Sequence, residues 1–336
     1  MSTTGWLRLR RLVHPRLGVV LGGGAALGAV EAGAIETFGR RGLVPDLLVG
    51  TSVGAINAAF WAFDPEQANV HRLLRLWKWA DRSTMVPDHG LAMLGRVGLG
   101  MSALTAQRGV ARMVRAAGLE DAAIEESRIP LAVVTTDADS GQRVVLRQGP
   151  LLPALLASAA IPVLYPAVEV DGRRLVDGGV VANCDVDAAA ESGMTDVLVV
   201  DIMGMAPETG RSLWDVADRT VRTVLRRQTD LAIRGLRGRA RIAVLRPTLG
   251  IGARLDDFSQ TVALYRAGRD AAEAFLAGTD QFRRWQRGRR TTGRAQGHQG
   301  SRPGAGATDS GGVARRSIPM VAPGPGADRP GPRSRR

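Results

Sequence analysis

Short apolar runs alternate along this chain with stretches in which apolar residues recur every three or four positions. Leu17–Leu21 is a buried-strand pattern ending in glycines, and Leu27, Val30, Ala34 and Phe38 then repeat at helical spacing. That helix should stop at Arg40-Arg41-Gly42, where cations and a glycine suit a helix C-terminus. Residues 47–49 read as a second strand, followed by a small-residue helix from Val53. Further strands are predicted at 131–135, Arg143–Leu146, 197–200 and 242–245. Val168–Val170 and residues 173–176 flank Asp171-Gly172, a two-residue hairpin signal. Residues 214–233 and 259–276 read as helices. Such alternation predicts a three-layer α/β domain.

The pattern stops near Arg287. Eleven glycines and six prolines lie among residues 287–336, where Leu, Phe, Tyr and Trp are absent. A segment of that composition cannot bury enough apolar surface to offset the entropy of ordering it. The expected organisation is an N-terminal extension over 1–14, a catalytic domain over 15–286 and a disordered Arg/Gly/Pro-rich tail over 287–336.

Charge changes this picture little. The formal +13 of the 336-residue chain first suggests nucleic acid, but +9 of it falls in the last fifty residues. With no aromatic residue to stack on bases, the tail predicts no specific nucleic-acid binding. Peripheral contact with anionic membranes is the partner it suggests. One cysteine, Cys184, excludes a disulfide framework. The histidines (His14, His71, His89 and His298) have no ligand spacing, so no metal and no other cofactor is expected. Asp137-Ala138-Asp139 is too sparse for a calcium loop. Residues 148–168 are uncharged, but Pro150, Pro153, Pro162 and Pro166 make them a short helix and loop, not a membrane span. Without a secretory signal either, a cytoplasmic protein, peripheral to the membrane at most, is the expectation. Leu73, Leu74, Trp77 and Trp79 read as core at helical spacing, rather than as a membrane-facing lip.

The candidate chemistry sits at two strand-to-helix turns. Gly50-Thr51-Ser52-Val53-Gly54 is a G-x-S-x-G pentapeptide between a strand and a helix, the context of a nucleophile elbow. The helix start would hold free N–H groups and a positive dipole end near the serine. The glycine-rich run from Leu21 to Gly28 lies in a similar setting. It fails the dinucleotide fingerprint G-x-G-x-x-G, since the sixth position from Gly22 is Leu27 and the third from Gly23 is Ala25. Beside a nucleophile elbow it reads better as an oxyanion hole. Histidine order argues against a Ser-His-Asp triad: His71 and His89 come too early and His298 lies in the tail. That leaves a carboxylate as base, and Asp177, opening Asp177-Gly178-Gly179 after a strand, stands out.

Taken together, LGGGAALGAVEAGAIETF, GTSVGAINAA and AIPVLYPAVEVDGRRLVDGGVVAN resemble the patatin-like phospholipases in order and spacing, over roughly residues 15–285. The resemblance implies a patatin-like fold with a mostly parallel central sheet flanked by helices. It implies a Ser–Asp dyad, Ser52 as nucleophile and Asp177 as proton acceptor, with backbone N–H groups of Gly23, Gly24 and Ala25 as the oxyanion hole. The implied activity is hydrolysis of lipid or phospholipid carboxylic esters through an acyl-serine. Two positions depart from the family pattern: Ala25 stands for a third consecutive glycine, and Leu27 for a basic residue. The alternative is a non-catalytic lipid-binding or regulatory protein that kept the fold.

Overall fold

A computed structural model describes residues 15–66, 70–80, 103, 105, 107–204, 213–249, 254–278 and 285. The expected N-terminal extension and C-terminal tail lie outside the described residues, as do His14, His89 and His298.

Eight strands form one sheet: β1 (Leu17–Leu21), β2 (Leu47–Thr51), β3 (Leu131–Asp137), β4 (Arg143–Leu146), β5 (Val168–Val170), β6 (Arg173–Asp177), β7 (Asp196–Val200) and β8 (Arg241–Leu245). The order is β5-β6-β3-β2-β1-β7-β8, with β4 also paired to β3. Strands β3, β2, β1, β7 and β8 run parallel, whereas β4, β5 and β6 are antiparallel additions at the β3 end. The central strands β1, β2 and β7 are buried along their whole length, as their unbroken apolar runs require when both faces are covered. The Asp171-Gly172 hairpin adopts positive φ at both residues (50° and 73°), the geometry of a type I′ turn.

The described helices are α1 (Gly28–Arg40), α2 (Val53–Phe63), α3 (Val70–Trp79), α4 (Arg108–Ala116), α5 (Leu151–Ser158), α6 (Val186–Glu191), α7 (Leu213–Gly235) and α8 (Thr261–Gly278). The sheet divides the apolar side chains into two clusters. The larger gathers Leu27, Phe38, Ile56, Trp61, Trp77 and Leu264 with the β-strand residues facing them. The smaller, on the other face, gathers Val20, Val49, Val134, Val186 and Leu236. Helices α1 and α8 cross so closely that a Cβ on Gly33 would lie 2.0 Å from the Tyr265 carbonyl oxygen, and one on Gly268 1.9 Å from that of Val30.

Leu73 and Trp77 are buried in the larger cluster, with Leu74 and Trp79 packed against it, so this stretch is core. Asp137 Oδ1 accepts the Asp139 and Ser140 N–H groups to close the β3–β4 turn, and Asp139 pairs with Arg174. No helix among the described residues is long and apolar enough to cross a membrane.

Candidate active site

Strand β3 brings the two candidate residues together. Thr51, the last residue of β2, is paired with Val134, and Asp177, the last residue of β6, with Thr135. The two strands thus end at consecutive positions of β3, and Ser52 follows directly. Thr51 Oγ1 donates to the Ala182 carbonyl, Thr136 Oγ1 to the Asp177 carbonyl, and the Asp177 N–H to the Ala160 carbonyl. The backbone around the pair is therefore held from several directions.

Ser52 is the turn between β2 and α2, with φ 55° and ψ −124°. This is a sparsely populated region for a residue with a Cβ, held only because its surroundings over-determine it. The flanking glycines serve close approach. A Cβ on Gly50 would lie 2.4 Å from Ala55 Cα, and one on Gly54 2.4 Å from the Leu21 carbonyl oxygen. Strain thus resides on the serine, and the glycines let the helix fold back over the strand. The Ser52 N–H donates to Ser158 Oγ at 2.9 Å, and Ser158 donates to the Val134 carbonyl at 2.7 Å. Sequence reasoning missed Ser158. It lies at the end of α5 with no motif around it.

The Ser52 hydroxyl faces the Asp177 carboxylate closely enough to lower its pKa, and Asp177 Oδ1 accepts the Gly179 N–H at 2.7 Å. Burial pushes the Asp177 pKa up to about 6, and the Ser52 hydroxyl and the Gly179 N–H oppose the rise. An ionised Asp177 is thus a stronger proton acceptor than an ordinary carboxylate.

The glycine-rich turn lies against the serine: a Cβ on Gly23 would be 3.2 Å from Ser52 Cβ. Of the three N–H groups expected there, that of Gly23 donates to the Asn183 carbonyl at 3.3 Å. Those of Gly24 and Ala25 have no hydrogen-bond partner among the described residues. The donor set is therefore narrower than the sequence suggested. Ala25, where the resemblance led one to look for glycine, sits at φ 45°.

Beneath this turn is a buried polar group. Asn57 Nδ2 donates to Glu31 Oε2 (2.9 Å) and to the Gly28 carbonyl (3.0 Å), while Trp77 Nε1 donates to Asn57 Oδ1 (2.9 Å). Burial holds the Glu31 carboxyl well above its usual range. Cys184 is buried as well, its thiol pushed up by desolvation, so it is a packing residue and not an activated nucleophile.

Ser52 opens onto an apolar cavity of about 210 Å³. Its deep side is formed by the buried Val53, Trp77, Val110 and Met113, and its rim by Ile161, Leu164, Leu255, Asp256 and Phe258. Leu27, expected from the resemblance to be a basic position, is fully buried core instead.

An α/β sheet with a strained serine between strand and helix, set beside a buried carboxylate and facing an apolar cavity, defines the class. The sequence profile of the patatin-like phospholipases matches residues 19–190. This chain belongs to that family. It is 31% identical over 188 residues to an uncharacterized NTE family protein of Mycobacterium tuberculosis strain H37Rv, covering 54% of this chain and 47% of that one. It is 28% identical over 207 residues to patatin-like phospholipase domain-containing protein 6 of Homo sapiens, covering 61% of this chain and 14% of the relative. The chain thus spans half or less of the length of these relatives.

Proposed function

We propose that the protein is a lipid acyl hydrolase that cleaves carboxylic esters through an acyl-serine on Ser52. The observation that carries this reading is the placement of a strained, elbow-borne Ser52 beside a buried Asp177, the two strands that carry them ending at consecutive positions of β3. Ser52 Oγ attacks the ester carbonyl carbon while Asp177 takes its proton. The N–H groups of Gly24 and Ala25 receive the negative charge on the former carbonyl oxygen. A donor so placed contributes about 3–4 kcal/mol to transition-state stabilisation. Asp177 then returns the proton to the leaving alcohol, and a water deprotonated by Asp177 releases the carboxylic acid. The apolar cavity beside Ser52 suits the acyl chain, since it offers hydrocarbon contact and little else to bond a polar group.

A panel of acyl esters tests the reading, with Ser52→Ala as control. Turnover is expected with the parent protein and its loss, to less than a few per cent, in a folded Ser52→Ala variant. Turnover retained by that variant would contradict the nucleophile; no turnover by the parent on any ester would favour the non-catalytic alternative.

A further inference from the structure

The turn after Asp177 is covered by helix α7. Gln228 Nε2 donates to the Val180 carbonyl at 3.2 Å, and Gln228 Oε1 accepts the Asn183 N–H at 2.7 Å. The side of α7 turned away from the sheet is apolar to an unusual degree. Val221, Val224 and Leu231 are 44%, 58% and 52% exposed, and they recur at helical spacing along one stripe with the exposed Arg227. Val180, at the end of the turn that α7 covers, is 51% exposed and extends the patch toward the site.

Charge along α7 is asymmetric in a way its composition conceals. Asp215 pairs with Arg254, Asp218 with Arg222 and Asp230 with Arg246. All three acids are thus engaged by arginines, whereas Arg219, Arg226 and Arg227 form no ion pair among the described residues. What the helix offers outward is valine, leucine and threonine, with the exposed guanidinium of Arg227 among them. A cationic helix with an apolar stripe fits the headgroup–acyl boundary of an anionic lipid surface: side chains enter the hydrocarbon edge while arginines meet phosphates.

We propose that the outer face of α7, with Val180, is the surface by which the protein docks on a lipid–water interface carrying anionic headgroups. The choice of a lipid surface as partner rests on the lipid-hydrolase reading. A second copy of the chain seated on the same stripe is the competing outcome.

The test uses the full chain carrying Ser52→Ala, so that vesicles stay intact and binding is read apart from chemistry. Sedimentation with phosphatidylcholine vesicles, with and without phosphatidylglycerol, is compared before and after adding Val224→Asp and Leu231→Asp. At high salt, where attraction of the tail and other basic groups is screened, the double variant is expected to lose at least about tenfold in partition. Arg227→Glu is expected to weaken binding only at low salt and only with phosphatidylglycerol. Val224→Trp is expected to tighten binding. In the Ser52 background, Val224→Asp with Leu231→Asp should leave turnover of a short water-soluble ester unchanged, which also reports folding. Equal vesicle binding by parent and double variant would overturn the proposal. So would a parent dimer that the double variant converts to monomer, since the stripe would then be an interface between copies.

Discussion

Ser52 carries the strain of the site, and its neighbours hold it there. Ser158 gives the Ser52 N–H its partner, so Ser158→Ala leaves a buried donor unsatisfied at about 1–3 kcal/mol. The expected result is a drop in kcal-scale stability together with slower acylation, read by thermal unfolding and by turnover. Ala25 sits in the left-handed region at φ 45°, which disfavours any residue with a Cβ. Ala25→Gly is therefore expected to stabilise by about 0.5–1 kcal/mol while keeping activity, since the N–H is unchanged; a clear loss of stability would show that the methyl group packs usefully. Asp177 makes two predictions. As the proton acceptor it must be ionised, so kcat/KM should fall as pH drops through about 6. Its folded pKa lies above the unfolded value of 3.8, so the folded state holds the proton more tightly and stability declines as pH rises from about 4 to about 6. Asp177→Asn removes that decline. The variant should be inactive but about 2–3 kcal/mol more stable than the parent at pH 8, with no advantage below pH 4. Denaturant unfolding at the two pH values measures it.

At the scale of elements, the site depends on two fixed crossings. Asn57 joins α2 to Glu31 and Gly28 on α1 and to Trp77 on α3, so one buried amide ties three helices beneath the glycine-rich turn. Helix α8 in turn clamps α1 through Gly33 and Gly268, each facing a carbonyl oxygen of the other helix. Gly268→Ala should force these helices apart and destabilise by about 2–4 kcal/mol, a cost of overpacking against backbone, whereas Gly235→Ala on α7, facing open space, should not. A thermal melt of both variants checks this. The strands and the elbow were readable in the sequence because their signals are local: apolar runs, a G-x-S-x-G, an Asp-Gly turn. Helix α4 was not read, although Val110, Met113, Val114 and Ala117 recur at helical spacing; the arginines between them mask the stripe. Ser158 and Asn57 were unreadable for another reason. Each acts through a partner far away in the chain, and no spacing rule records such a contact. Gly23 was read as a donor, but whether an N–H is free depends on which carbonyl the fold places opposite it, here that of Asn183.

For the molecule as a whole, family membership and fold agree, and the chemistry assigned to Ser52 is the claim from which the rest follows. Formal charge was a poor guide to it, because the excess of arginine lies mainly beyond residue 286 while the site is a matter of two side chains at the ends of two strands. The most direct measurement is labelling of the full chain with a fluorophosphonate, followed by mapping of the modified peptide. The probe reacts only with a serine that is activated, so it reads the nucleophile without knowledge of the natural ester. The prediction is a single adduct on Ser52, absent from Ser52→Ala and strongly slowed in Asp177→Asn. A folded parent protein that takes up no probe, or an adduct that persists on another residue in Ser52→Ala, would contradict the account.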